Sequence, residues 1–321
     1  MNIQKGYIAA CSEDEKQGIY EFNLSEDGMI SKPVLSHPIS QSKYLSIEKH
    51  SLVSTCKEGN QAGLICFDTF HKYQNSMLSH AVAACYIIQD QERIYTANYH
   101  EGNIMIYERQ KDKLVLLKRI DVKDKAGCHQ IIFYKEYFLV PCLFLDQILI
   151  FHKTSFQFIK AIDFPKGSGP RHGVFNQDQS ILYVISELSN ELYKFEVNDL
   201  TFDLVKQLPL IEKNEIGESA AILLSEDEAF LYITIRSIDE IIVVSLLDQM
   251  KVIQRKYCGG KHPRDAMYAT KQPCLLIVNR YSNNIVSIKV NAKTGLLENQ
   301  ISEQMVPEPL CVILEEEEKY E

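Results

Sequence analysis

The segment GPRHGVFNQDQSILYVISEL (169–188) holds Arg171 and His172, and sixteen residues after the arginine it holds a carboxylate, Glu187. The same step of sixteen joins Ala220 to Arg236 and Arg264 to Arg280, and a step of fourteen joins His129 to Leu143. Guanidinium groups gathered around a carboxylate and an imidazole suit the holding of an anion, because arginine matches carboxylate and phosphate with two parallel hydrogen bonds. Whether they gather depends on the elements between them.

Those elements repeat. The runs GIYEF (18–22), GLICF (63–67), NIMIY (103–107), QILIF (147–151), ELYKF (191–195), EIIVV (240–244) and NIVSI (284–288) end at steps of 45, 40, 44, 44, 49 and 44 residues. Around each, a first strand such as HGVFN (172–176) leads through a polar turn, NQDQ (176–179), into a second, SILYVIS (180–186). The turn LSN (188–190) then opens the third strand, ELYKFEV (191–197), and an edge run follows. Related turns stand at IQDQ (88–91), SEDE (225–228) and ATKQ (269–272). Val, Ile, Tyr and Phe fill the runs, as a pleated, half-buried surface requires. A period in the forties with four short strands per unit predicts an all-β fold, a single seven-bladed β-propeller over residues 1–321. The first unit opens at YIAAC (7–11) without an innermost strand, and PEPLCVILEEE (307–317) reads as a strand without a blade. The C-terminal strand is therefore expected to complete the first blade and close the ring, since an open array would leave bare edges.

The residue eight before each run's end is read as the last of the second strand: Tyr99, Leu143, Glu187, Arg236 and Arg280, with Lys57 in the second unit, whose loop is two residues longer. The first strands start at His129, where the turn YKE (134–136) is short, and at Arg171, Ala220 and Arg264. An antiparallel strand that runs out and back returns to the same end of the sheet. His129, Arg171, Glu187, Arg236, Arg264 and Arg280 are thus expected at one mouth of the central channel. One such arginine alone reads as a bridge between blades. Several sharing a mouth need a counter-charge that Glu187 alone does not supply, and a bound anion would supply it.

Alternation along a strand places Cys128 and His129 on opposite faces, which excludes a thiol–imidazole dyad. It also splits Arg171 from His172, so only one is expected to face the channel, with His172 packed between blades. His80, His100 and His262 are expected in polar loops and lack metal-ligand spacing.

Of 321 residues, 45% are hydrophobic and 24% charged, the values of a chain with a sizeable core. With 43 acidic against 34 basic residues the net charge is −9, which argues against a nucleic-acid or anionic-membrane partner. Nine scattered cysteines without a C-x-x-C pair fit reduced thiols better than disulfides or zinc. The opening MNIQKGYIAACSEDEK holds no apolar stretch of signal-peptide length and no run reaches membrane-spanning length, so a cytoplasmic location is expected. There is no G-x-S-x-G, P-loop or dinucleotide-binding pattern. The absence of Trp excludes WD-type repeats and a tryptophan-docked quinone. The run EEEE (315–318) reads as a solvated tail.

GPRHGVFNQDQSILYVISELSNEL resembles the "GPRH…PDG…YVxNEL" segment of the seven-bladed lactonase family, the propeller-type 6-phosphogluconolactonases and their carboxymuconate-lactonising relatives. YIAACSEDEKQGIYEFNL, LYITIRSIDEIIVVSL and HPRDAMYATKQPCLLIVNRYSNNIVSIKV are similar to other units of that family, so the resemblance spans essentially the whole chain. The GPRH-to-Glu spacing is its specific part. The resemblance assigns the active site to His129, Arg171, Glu187 and Arg236. It implies hydrolysis of a small anionic sugar-acid lactone, with 6-phosphogluconolactone favoured. A base, His129 or Glu187, would activate water while Arg171 and Arg236 polarise the ester. Arg264, Arg280 and Lys57 become candidates for a distal phosphate, with Tyr99 at the same mouth, and the scheme requires no metal or cofactor. A lactone-forming cycloisomerase and a non-catalytic binding propeller are the alternatives; a scaffold would need neither His129 nor Glu187. Ala84, Ser186 and the run Ser219-Ala220-Ala221 depart from the family pattern and bear on the substrate.

Overall fold

Strand-forming runs separated by tight turns fold into seven four-stranded antiparallel sheets, one for each repeat. The computed structural model describes residues 3–315 apart from positions 14, 50, 69–71, 91–92, 111–112, 248 and 270. The turns expected at 88–91 and 269–272 lie partly outside the described residues, as does the acidic run, of which only Glu315 is described. Blade 5 shows the pattern: Pro170–Phe175, Ile181–Ser186, Glu191–Asn198 and Thr201–Pro209, from channel to rim. Its first turn is closed by Gln179 N donating to Asn176 O at 3.0 Å and by Asn176 Nδ2 donating to Asp178 Oδ1 at 2.7 Å. Ser225 and Asp227 build the same turn in blade 6, with hydroxyl and carboxylate 2.6 Å apart. Short polar side chains that bond locally are what such bends select.

The ring closes as expected. Pro309–Leu314 is the innermost strand of blade 1 and pairs with Gln4–Ala10, with Ile8 opposite Val312. Gly18–Leu24 and Val34–Pro38 complete that blade. Neighbouring blades bury their apolar faces against each other: Ile8 and Phe22 of blade 1 share a cluster with Leu276 and Val278 of blade 7, and Ile132 and Leu139 of blade 4 share one with Leu182 and Val184 of blade 5. Each such side chain contributes roughly 1.5–3 kcal/mol by burial. All nine cysteines are free thiols, and seven of them are buried.

The polar mouth depends on how the innermost strands begin. In blade 5 the ladder pairs Pro170 with Ser186 and next His172 with Ile185, passing over Arg171. In blade 7 it pairs Pro263 with Asn279 and next Asp265 with Val278, passing over Arg264. Each arginine is the extra residue of a β-bulge, and each follows a proline that has no N–H for the ladder. Just before each bulge stands a left-handed residue, Gly169 (φ 66°) or His262 (φ 63°). A Cβ at Gly169 would lie 2.7 Å from Leu188 Cγ, so that position demands glycine.

Candidate active site

The N–H of Glu187 donates to Gly169 O at 2.8 Å, that of Arg280 to His262 O at 3.1 Å and that of Leu143 to Gly127 O at 3.1 Å. These recurring bonds tie the residue after each second strand to the residue two before Arg171, Arg264 and His129, which are therefore structural equivalents, as the spacing predicted. Arg171 and Arg264 stand second in their first strands, whereas the first strand of blade 4 is only Ile132–Tyr134, so His129 lies ahead of it instead of starting it, its N–H donating to Pro141 O at 3.0 Å. Glu187, Arg280, Tyr99 and Leu143 lie one residue beyond the second strand rather than ending it, whereas Arg236 does end Phe230–Arg236. In blade 6 the inner strand begins at Glu218, paired with Arg236, two residues before the expected Ala220.

Glu187 is the hub. Its Oε2 lies 2.7 Å from Arg171 Nε and 2.8 Å from Arg236 Nη2. The two arginine nitrogens do not aim their N–H bonds along these contacts, so the attraction is chiefly that of opposite charges. The second acid near Arg236, Glu218, is 3.9 Å from its Nε. Arg171 is only 2% exposed and also donates through Nη1 to the carbonyl of Ala220, pinning blade 5 to blade 6. Burial lowers the Arg171 pKa to about 9, with Arg264 and Arg236 adding repulsion that Glu187 only partly offsets. Burial alone would raise the Glu187 carboxyl, but Arg171, Arg236 and Arg264 hold it below its ordinary value.

Beneath this hub is a cavity of about 50 Å³ whose walls include His129, Arg171, His172, Lys43, Arg264 and Asp265. Here the structure corrects the expectation from strict alternation. The bulge at Arg171 breaks the two-residue period, so Arg171 and His172 both reach this cavity, and His172 is not merely packed between blades. His129 Nδ1 and His172 Nε2 are 3.1 Å apart, one ring donating to the other. Burial, then the surrounding arginines, holds both imidazoles well below their ordinary pKa and keeps them neutral. Tyr99 stands edge-on to His129 with ring centroids 5.7 Å apart. Cys128 faces away from the site, its Sγ 3.7 Å from that of Cys142 in the core, so no dyad forms with His129.

A wider cleft of about 700 Å³ shares Lys43, Arg264 and Leu310 with the small cavity and is also lined by Arg236, Arg280 and His262. Arg280 is bound to Glu308 at 2.9 Å. Lys57 is not among the residues lining the cleft, where Lys43 takes its place. Sequence reasoning missed Lys43 because the first turn of blade 2 is short: the ladder pairs Glu48 with Ser51, as it pairs Tyr134 with Tyr137 in blade 4, so the step back from Lys57 is fourteen rather than sixteen and falls on Lys43. Gln41 (φ 60°) stands two residues before Lys43 as Gly169 stands two before Arg171, so Lys43 takes in blade 2 the place of Arg171 in blade 5. His100 and His262 both line the cleft, and burial with nearby arginines takes the His262 pKa down to about 3. His80 is not in a loop: it ends the strand Tyr73–His80, is buried, and shares a hydrogen bond with Ser79 at 3.0 Å.

A family model described as lactonase, 7-bladed β-propeller, matches residues 5–314. An uncharacterised protein of Staphylococcus aureus is 27% identical over 341 aligned positions, which cover 97% of this chain and 100% of the relative. The periplasmic gluconolactonase of Pseudomonas aeruginosa superposes with a TM-score of 0.86 at 18% identity, over 98% of this chain and 99% of that one. A candidate 6-phosphogluconolactonase of Bacteroides uniformis does so with a TM-score of 0.86 at 23% identity, over 98% and 100%. At these identities the two structural matches establish a common fold.

Proposed function

The chain belongs to the seven-bladed β-propeller lactonase family, and from that premise we propose that it hydrolyses the ring ester of a sugar-acid lactone, with 6-phosphogluconolactone the favoured substrate. The observation that carries the reading is the Glu187 carboxylate held between Arg171 and Arg236 (2.7 and 2.8 Å), with Arg171 also lining the cavity of His129. A scaffold needs neither a half-buried carboxylate clamped by two arginines nor a buried neutral imidazole in the cavity that one of those arginines lines.

Water adds to the lactone carbonyl, the carbonyl oxygen becomes an oxyanion, and the ring C–O bond breaks to give a carboxylate and an alcohol. Arg236, on the cleft wall, faces the developing oxyanion, where a fixed charge in a partly dry site acts most strongly. His129 is neutral and takes the proton from the attacking water. Glu187 orients the two guanidiniums through Oε2, and its second oxygen, Oε1, would accept from the same water. The proton on His129, opposed by Arg171 and balanced by the oxyanion while that lasts, passes to the departing ring oxygen as the C–O bond breaks, giving the alcohol, and the new carboxylic acid releases its proton to solvent. Arg264 and Lys43 on the cleft wall support an anionic substrate, whereas Arg280 there is already paired with Glu308.

The test is hydrolysis of freshly generated 6-phosphogluconolactone against a panel of unphosphorylated aldonolactones and a muconolactone, each corrected for its spontaneous rate. The reading expects enzyme-dependent opening with the phosphorylated substrate preferred. Activity confined to the muconolactone would assign the chain to the lactonising branch. A folded protein that accelerates none of them is a binding propeller.

A further inference from the structure

We infer that the 50 Å³ cavity beneath the candidate active site is a seat for one small monovalent anion, a halide or a carboxylate end of a bound molecule, held by Lys43 and Arg264. The size of the cavity limits the occupant. A water in the liquid takes about 30 Å³, so the space admits one small ion or one or two waters and no phosphate together with its hydration.

Charge then chooses between them. Three cations line the cavity, Lys43, Arg171 and Arg264, and one carboxylate, Asp265. Arg171 is answered by Glu187 at 2.7 Å, and that carboxylate is already shared with Arg236. Asp265 answers at most one of the remaining two cations, and its Oδ2 already accepts the Val312 N–H at 3.1 Å. Among the described residues neither Lys43 nor Arg264 has a carboxylate within ion-pair distance, so one positive charge is left over. Both side chains are half-buried between the small cavity and the cleft, where an unanswered charge is less well solvated than in open water and a neutral water does not cancel it. His129 and His172 carry no charge here but can present N–H bonds, and Tyr44 is a further wall. Burial first lowers the pKa of both Lys43 and Arg264, with Arg264 adding repulsion on Lys43 and Arg236 adding repulsion on Arg264, in keeping with the same excess. Access is from the cleft, because Lys43, Arg264 and Leu310 belong to both spaces. The seat stands whether or not a lactone is the substrate.

Thermal unfolding is followed against sodium chloride, with ionic strength held constant by sodium isethionate. Wild type should show a saturable rise in Tm, as binding to the folded state alone requires. Lys43→Met and Arg264→Met should each weaken the apparent chloride affinity at least tenfold, while Lys43→Arg, which keeps the charge, should retain it. Crystals grown in bromide should show one anomalous peak between Lys43 and Arg264. Adding gluconate separates the two sources: a shift of the chloride curve to higher concentration identifies a carboxylate as an occupant, and an unshifted curve identifies the halide. A wild-type Tm no more dependent on chloride than that of Lys43→Met, with no bromide peak, overturns the proposal, and intact circular dichroism confirms that the variants compared are folded.

Discussion

Arg171 and Arg264 occupy the same place in two blades and meet opposite partners there. Each follows a proline, each is the unpaired residue of a bulge, and each sits near the residue just beyond the end of the second strand. In blade 5 that residue is Glu187, and an ion pair forms. In blade 7 it is Arg280, a like charge that turns instead to Glu308. One structural device therefore yields an arginine paired with a carboxylate and one, among the described residues, with no carboxylate within ion-pair distance. The first belongs to the proposed catalytic hub and the second to the proposed anion seat.

Arg171→Lys tests whether the hub needs a charge or a shape. Arg171 uses Nε towards Glu187 and Nη1 on the Ala220 carbonyl, two directions that a single ammonium does not reproduce. Turnover should fall by about tenfold or more. The abandoned carbonyl should cost about 1–3 kcal/mol, read as a lower Tm. Wild-type values for both in the lysine variant would show that charge alone suffices.

Ending the chain at Met305 removes the inner strand of blade 1. The buried Cys311, Val312 and Leu314 are removed with it, and Ile8 loses its ladder partner and part of its cover. Several kcal/mol disappear on this count, so Tm should drop by on the order of 10 °C or more for a domain of this size. Calorimetry of the full and shortened chains decides it, and equal melting temperatures would refute closure as a source of stability.

Much of this was legible from spacing. The steps of sixteen and fourteen found the structural equivalence of His129, Arg171 and Arg264, because hairpin strands must return to the same sheet end whatever their side chains. His172 was misjudged because alternation assumes an unbroken ladder, and a bulge after proline carries no signal in hydrophobic period. Lys43 was missed for another reason: the turn pairing Glu48 with Ser51 is two residues shorter than that of blade 5, so the step back from Lys57 is fourteen, as in blade 4, and not sixteen. The partners Glu308 and Glu218 also lay outside the repeat positions, so the mouth read as more cationic than it is.

Acid should weaken the fold before it removes the active protonation state. His129 and His172 stay neutral in the folded chain but take up protons near their ordinary value of 6.5 once unfolded. Just below that pH the unfolded chain binds more protons, so stability falls as pH falls, by at most about 1.4 kcal/mol per pH unit for each group. His262, lowered to about 3, acts in the same direction. Glu187 contributes above its ordinary value of 4.5 and is lost lower still, as pH drops through its depressed folded value. Tm should therefore decline between pH 7 and 5, with a shallower slope in His172→Asn. The acid limb of kcat/KM should lie below pH 6.5, since both candidate bases are depressed. An acid limb above pH 6.5 would mean that neither group is the base.

His129→Ala and Glu187→Gln probe the division of labour most directly. If His129 takes the proton from a water that Glu187 helps to hold, each single change should lower kcat by roughly a hundredfold or more. The double variant should lose far less than the product of the two losses, because groups that act on one water fail together. The two singles should differ in a second measurement. Glu187→Gln strips the counter-charge from Arg171 and Arg236, and breaking a buried pair from one side costs about 3–5 kcal/mol, so its Tm should fall clearly. His129→Ala removes an uncharged ring whose Nδ1 contact is to His172, and its Tm should fall less. Arg236→Ala should raise KM and lower kcat together, as it faces both substrate and oxyanion. Circular dichroism verifies the fold in each case. Strict multiplicativity of the two single effects would separate His129 from Glu187, and full lactonase activity in the folded double variant would move the chemistry elsewhere on the propeller.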